Sequence, residues 1–445
     1  MPNRERGLLV AVVVVAVAVR LLLAVHLDAD PPGGMTLEGE ARNLLEGRGY
    51  SLTIRELDGS AHDVPSVYDV PGYAILLATT WLVTGSDSTV WIRLLQIAID
   101  ALLCLLVFRI GRDTVGARAA LAGALLYALY LPQATAAASV GRDAWGTFGV
   151  VVVTFLFLTF AQDGRWRYAV ATGVVVGLVG YVRPMVLLLP VALAIAAVRH
   201  LGLRRAILAA GVMVIVAHAS LLPWAARNYT AYGRWIFTRA NLYQSFWVGF
   251  GSFSNPVGAL NSEEKTLAHM QAEGFPGRSN STLEYEEFVK PRAIAVIRDH
   301  PLWYASVVLR RIPRALLVHR LSWGVLQDHR LGYHTAFVGQ GHERSIMTYV
   351  SWLARRNPGF LVTKALDALV LAAAAAGAWH VRKAGWRLAV LLAVPAYVVM
   401  VHAVINVEGR YILPAHWVYL LLVGALVADL VPRRVPAPEA WHGAH

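Results

Sequence analysis

Five separate short stretches of this chain carry acidic or arginine side chains next to apolar segments. Glu38 and Glu40 stand just ahead of Ala41 to Ser51 (ARNLLEGRGYS). Arg142 and Asp143 are adjacent. Arg183 precedes Pro184, Arg227 lies within Leu222 to Arg234 (LPWAARNYTAYGR), and Glu408 is followed by Arg410 and Tyr411. A carboxylate held close to a hydroxyl takes its proton as that oxygen attacks. A guanidinium stays charged and grips a phosphate with two donors. Proton removal beside a bound anion is the chemistry these residue types suit. Each also has a structural reading. Arg183 snorkels to headgroups, Asp143 caps a helix or pairs with Arg142, and Arg410 anchors a helix start. Arg20 and Asp100, inside apolar runs, read as packing partners, and His218 and His402 as satisfied polar positions without metal-ligand spacing.

The elements that must position these groups are membrane helices. Of the 445 residues 57% are hydrophobic and 15% charged, with a mean hydropathy of +0.52. A soluble domain carries about 25% charged residues, so the composition excludes an ordinary soluble protein. Uncharged runs such as Gly7 to Val19, Val150 to Ala161 and Ala368 to Trp379 mark segments of membrane length. The fold class expected is an all-α polytopic membrane protein. The net charge of +12 comes from clusters placed after apolar runs, which points to membrane topology and not to nucleic acid. The lone Cys104 makes no disulfide framework.

Charge predicts ten spans with both termini inside: about 7–26, 90–110, 118–131, 144–161, 168–182, 185–199, 205–223, 363–381, 388–405 and 411–431. Pro71 to Gly85 is too short to cross and is expected in the interface. The segment between the first span and Val70 holds nine acids against three arginines, which fits an outer location. The domains read as an N-terminal transmembrane module over 1–224 with a catalytic first loop at 27–89, and an outer interfacial segment over 225–362. C-terminal helices over 363–434 and a disordered tail over 435–445 complete the chain. In this topology all five polar stretches face outward, and charge at membrane depth is a functional signal by default.

The order of motifs resembles the bacterial C-type (GT-C) superfamily of polyprenyl-phosphate-sugar-dependent glycosyltransferases, family 39, the protein O-mannosyltransferase-like group. The resemblance rests on Ala41 to Ser51, Val70 to Gly85 (VPGYAILLATTWLVTG), Arg93 to Gln96, the Asp143 loop and Tyr181 to Pro184. Leu222 to Arg234, Ile297 to Tyr304 and Gly409 to Pro414 (GRYILP) continue it. It spans nearly the whole chain and specifies the superfamily, not a substrate. One position departs: where the family has an early acid, this chain reads Gly33-Gly34-Met35-Thr36.

The resemblance implies a GT-C-like fold with interfacial periplasmic helices, and a multi-pass cell-membrane location with the site on the extracytoplasmic face. It also implies inverting sugar transfer from a polyprenyl-phosphate donor to an extracytoplasmic glycan, lipid or protein. Membrane lipids are the other partners. Glu38 or Glu40 then takes the base role, with Asp28 and Asp30 as alternatives. Asp143 orients the acceptor or holds a divalent cation, Mg2+ or Mn2+. Arg183, Arg227, Arg410 and Tyr411 meet the donor phosphate. Trp235, Tyr243, Trp247, Trp303, Tyr304 and Trp323 are candidates for an acceptor platform or for interfacial anchors, and Arg310, Arg311 and Arg314 for contact with anionic lipid. Two other readings stay open: a transporter or flippase of a lipid-linked sugar, and an inactive envelope-assembly scaffold.

Overall fold

The computed structural model describes residues 3–26, 35–55, 60–317 and 358–430, with Ser351 and Arg355 besides. Asp28, Asp30, Gly33, Gly34, Trp323 and the tail over 435–445 lie outside the described residues. The architecture is almost wholly helical. Six helices are long and apolar enough to cross a membrane: α1 (Asn3–His26), α4 (Val90–Val115), α7 (Asp143–Asp163), α11 (Leu203–Ser220), α18 (Trp386–Ile405) and α19 (Gly409–Leu430). A seventh is the pair α5 (Ala117–Ala128) and α6 (Leu131–Ala138), bent by 53°. Among the described residues length and composition thus support six spans, or seven with the bent pair, and the expected ten are not confirmed. The expected pair at 168–182 and 185–199 is built from shorter pieces: α8 (Trp166–Gly180), a 3-10 turn at Pro184–Val186, α9 (Leu189–Ala196) and α10 (Val198–Leu201). The helix Pro358–His380, here α17, packs on α19.

The bend between α5 and α6 has a local cause. Pro132 stands in the first turn of α6 and has no N–H to continue the α5 ladder. The break frees the Ala128 carbonyl, which accepts from Arg20 at 2.9 Å. Elsewhere glycine sets the packing. A methyl built on Gly424 of α19 would sit 2.4 Å from the Gly123 nitrogen of α5. The two backbones therefore meet with no side chain between them, the close approach small residues permit in membranes.

The helix ends alternate between two faces of the bundle. At one face the end of α1, the start of α4 and the end of α6 are tied by Arg93, which donates to the Ala24 and Ala138 carbonyls. At the opposite face Arg205 donates to Gly164 O at 2.6 Å, and His200 stacks on Trp386 at 4.1 Å.

The first face carries the short elements. α2 (Met35–Leu45) leads into an antiparallel hairpin, β1 (Ser51–Arg55) with β2 (Ala61–Pro65), in the register Ser51 to Pro65 and Thr53 to Asp63. α3 (Gly72–Thr84) is 13 residues long, about 20 Å against a hydrocarbon core of about 30 Å. It packs on α2 and α4. Beyond α12 (Leu222–Tyr232), α13 (Leu242–Phe250), α14 (Glu263–Ala272) and α15 (Leu283–Asp299) enclose a small core of Trp247, Phe250, Met270, Phe275 and Tyr285. α16 (Pro301–Leu316) joins it to α18: the Tyr304 hydroxyl donates to Val404 O at 2.7 Å, and buried Arg311 donates to the Ala403, Val404 and Ile405 carbonyls.

Candidate active site

The site begins at a backbone contact. The Gly72 amide donates to the Tyr181 carbonyl at 2.7 Å, and a methyl on Gly72 would lie 2.4 Å from that oxygen. Glycine at this position lets the start of α3 sit directly on the turn after α8. That turn carries Arg183, and the chain entering α3 carries Asp69. The start of α7 supplies Arg142 and Asp143 beside them.

Two buried ion pairs follow. Asp69, 3% exposed, pairs with Arg142 and lies 3.4 Å from Arg239. Asp143 pairs with Arg183, which is 9% exposed. A third pair closes the site from the last loop. Arg410 Nε donates to Glu408 at 2.8 Å, and the Tyr411 hydroxyl donates to the same carboxylate at 3.1 Å. Tyr411 links the groups. The Arg183 guanidinium lies 5.6 Å from its ring centre and that of Arg410 5.3 Å, while His402 stacks on the ring at 5.0 Å. From α14, Glu263 accepts the Tyr68 hydroxyl at 3.2 Å.

Glu40 stands beside this cluster, 2% exposed on the inner face of α2. One of its oxygens accepts the Ser66 hydroxyl, and the other has no hydrogen-bond partner. Burial pushes the Glu40 carboxyl up to about 7, against the opposing pull of the Ser66 hydrogen bond, and the Asp69 charge adds to the rise. Asp69 goes the other way. Burial alone would raise it, but Arg142 and Arg239 hold it below the usual carboxylate range. Burial also raises Glu263, with Glu408 adding to it. Arg183 is held well below its ordinary value by burial and by the like charges of Arg142 and Arg410. Four guanidinium groups gathered here, from nearly buried Arg183 to exposed Arg410, welcome an anion. A half-neutral carboxyl next to them is poised to exchange a proton near neutral pH.

Of the candidates from sequence, Glu40, Asp143, Arg183, Arg410 and Tyr411 come together. Glu38 lies two residues before Glu40 on the same helix, half-buried, and its charge is felt at Tyr73. Arg227 takes a different position. It donates to Ser66 O at 2.8 Å, to Asn228 Oδ1 at 3.0 Å and to the Tyr50 carbonyl, over the Trp224 ring. Ser66 stands between it and Glu40, so Arg227 ties the ends of the hairpin together and does not join Arg183 and Arg410. Asp143 caps no helix and does not pair with Arg142: it is the first residue of α7, and Arg142 is taken by Asp69. Asp143 is engaged by Arg183, so among the described residues it is not a free ligand for Mg2+ or Mn2+. Among the described residues no group of three His, Cys, Asp or Glu side chains is placed to hold a metal ion.

One member of the expected aromatic platform is corrected: Trp247 is a core residue of the outer segment. Trp303 donates to Ser254 O at 3.1 Å, and exposed Trp235 stacks on Tyr229. Arg311 grips the end of α18 and does not face lipid. Sequence reasoning missed Asp69, Arg239, Glu263 and the pairing of Arg142. Asp69 had a signal, a lone acid two residues before Pro71-Gly72. Arg239 had none, because its partner lies 170 residues away.

Residues 63–225 match the family model of the dolichyl-phosphate-mannose-protein mannosyltransferases. No curated protein sequence matches the chain. Two solved structures share the fold. One is the oligosaccharyltransferase of Archaeoglobus fulgidus tethered to an acceptor peptide containing the NVT sequon. It has a TM-score of 0.52 and 13% identity, over 97% of this chain and 50% of the other. The second is the archaeal oligosaccharyltransferase AglB of the same organism with an inhibitory peptide and a dolichol-phosphate, with a TM-score of 0.52 and 12% identity, over 96% and 50%. The chain spans about half the length of these proteins. The family match covers less than half of the chain, and the two solved structures show a shared fold, the fold class that the motif order implied.

Proposed function

We propose that the chain moves a sugar from a polyprenyl-phosphate carrier to an acceptor hydroxyl on the extracytoplasmic side of the membrane. One observation carries the reading. Asp69, Asp143 and Glu408, each paired to an arginine, gather with Glu40 at a single end of the helix bundle. The extracytoplasmic side is supported by the opposite helix ends, which carry Arg109, Arg112, Arg165, Arg167, Arg204, Arg205, Arg382, Lys383 and Arg387. Basic residues flanking spans mark the cytoplasmic side. The oligosaccharyltransferase with a bound dolichol-phosphate supports a lipid-phosphate donor.

In this reading the donor phosphate sits at headgroup level against Arg183 and Arg410, with Tyr411 between them. The acceptor oxygen attacks the anomeric carbon from the far side, and the bond from that carbon to the phosphate oxygen breaks. The polyprenyl phosphate leaves with the electron pair, and its growing charge is met by the two guanidinium groups. The acceptor proton passes to Glu40, whose raised carboxyl matches the task better than Asp69, which its arginines hold ionised and weakly basic. Attack opposite the leaving group inverts the anomeric centre. Asp143 fixes Arg183, and Arg227 fixes the hairpin that carries Ser66 to Glu40.

The test is incubation of the purified protein with a panel of radiolabelled polyprenyl-phosphate sugars. One member is consumed with release of polyprenyl phosphate, and Glu40→Gln abolishes release while the carrier still binds. Release undiminished in Glu40→Gln removes the base assignment. A panel in which no member is consumed by the wild type, with carrier lipid still bound, favours the flippase or the scaffold.

A further inference from the structure

A second site lies at the opposite face of the bundle, remote from the candidate active site. A cavity of about 310 Å³ opens between the ends of α4 and α7 and the starts of α8 and α18. Its floor is apolar, from Ile110, Phe155 and Leu158. Its rim carries both signs of charge: Arg109 and Arg387 against Asp113 and Asp163.

These charges are only loosely matched among the described residues. Asp113 lies 3.5 Å from Arg112 and 3.9 Å from Arg109, Arg387 donates to the neutral Gln162 at 3.2 Å, and Asp163 has no ion pair. Their places on the helices are unfavourable too. Asp163 is the last residue of α7 and Asp113 stands in the last turn of α4, where the helix dipole already presents negative charge. Arg387 stands in the first turn of α18, at the positive end. Side chain and dipole therefore reinforce each other at Asp113, Asp163 and Arg387. One side of the cavity attracts a cation and the other an anion. A simple anion would be drawn by the arginines and repelled by Asp113 and Asp163. A zwitterion satisfies both.

We propose that this cavity binds the headgroup of phosphatidylethanolamine, with the phosphodiester against Arg109 and Arg387 and the ammonium against Asp113 and Asp163. The apolar floor then takes the glycerol and the first methylenes of the chains. Basic pockets between helices on this side of a membrane bind lipid headgroups. The two added acids turn the preference from anionic to zwitterionic.

The test uses the purified full chain, delipidated and offered vesicles of phosphatidylethanolamine, phosphatidylglycerol or phosphatidylcholine, with retained lipid counted by native mass spectrometry. Phosphatidylethanolamine is retained about tenfold over phosphatidylglycerol, and also over phosphatidylcholine, whose quaternary nitrogen has no N–H to give Asp163. Asp113→Asn with Asp163→Asn erases the preference over phosphatidylglycerol. Arg109→Gln with Arg387→Gln lowers retention of phosphatidylethanolamine itself about tenfold. Equal retention of phosphatidylglycerol by the wild type overturns the proposal without recourse to variants. So does soluble phosphoethanolamine binding as tightly as the lipid, which would assign the cavity to a free metabolite. Neither result depends on sugar transfer.

Discussion

Two buried carboxylate–guanidinium groups in this protein use the same side chains to opposite ends. Midway along α1 and α4, Arg20 pairs with Asp100 and donates to the Ala16 and Ala128 carbonyls. Asp100 accepts from Tyr127 and Gln133 at 2.7 Å each, and Gln133 accepts from Thr147 at 3.0 Å. One Arg20 nitrogen aside, the protein itself satisfies this network. It joins α1, α4, the bent α5–α6 pair and α7, so it fixes the fold. At the helix ends Asp69 is 5% exposed, but Arg183, Asp143, Arg142 and Arg239 keep 11%, 15%, 20% and 31% of their side chains exposed. Their like charges press on one another and Glu40 keeps an oxygen without a partner. Access to solvent and incomplete pairing together set this group apart from the Arg20 network.

That contrast can be broken experimentally. The largest effect expected is at Glu40: Glu40→Gln lowers the transfer rate by about 10²–10⁴-fold, measured as polyprenyl-phosphate release in a single turnover, and leaves the melting temperature no lower. A comparable loss of stability would place Glu40 with Arg20 as a structural residue. Next is Arg20→Met, which strands Asp100 and costs about 3–5 kcal/mol of stability. The readout is thermal unfolding in detergent, with any surviving fraction keeping its transfer rate. Arg183→Met or Arg410→Met is expected to cost about 10²–10³-fold in kcat. An unchanged kcat in both would remove the phosphate assignment.

The smallest effect sharpens the comparison through pH. Folding raises the Glu40 carboxyl to about 7 from an ordinary value of 4.5. The protonated form is the one the fold prefers, so its stabilising contribution is complete below the unfolded value and is lost as pH rises through about 7. Against Glu40→Gln, the wild type should lose on the order of 3 kcal/mol between pH 4.5 and pH 8. Transfer moves the other way, because the base acts as the carboxylate: the rate rises with a midpoint near pH 7. Melting curves and rates over the same pH series check both signs.

Much of this was legible in the sequence. Apolar runs and basic flanks located the membrane helices, and Pro71-Gly72 marked the start of the short helix α3. The convergence of Glu40, Asp143, Arg183 and Arg410 followed from alternating helices alone. The pairings did not. Asp143 and Arg142 are neighbours in the chain, but at the start of a helix adjacent side chains diverge by about 100°. One reaches Arg183, the other Asp69. Trp247 resembled a surface aromatic because its segment lies outside the spans, yet the α13–α15 unit has a core of its own. Arg239 gave no sign, since its value comes only from Asp69 across the fold.

The contact between Gly123 and Gly424 bears on the far end of the same helix. With backbone against backbone, α19 has no cushion of side chain in which to slide, so its height in the bilayer is locked. Arg410 rides on that shaft about 21 Å away. A larger residue at Gly424 would lift or tilt the whole rod, and the guanidinium would miss its target without any residue near the sugar having been altered.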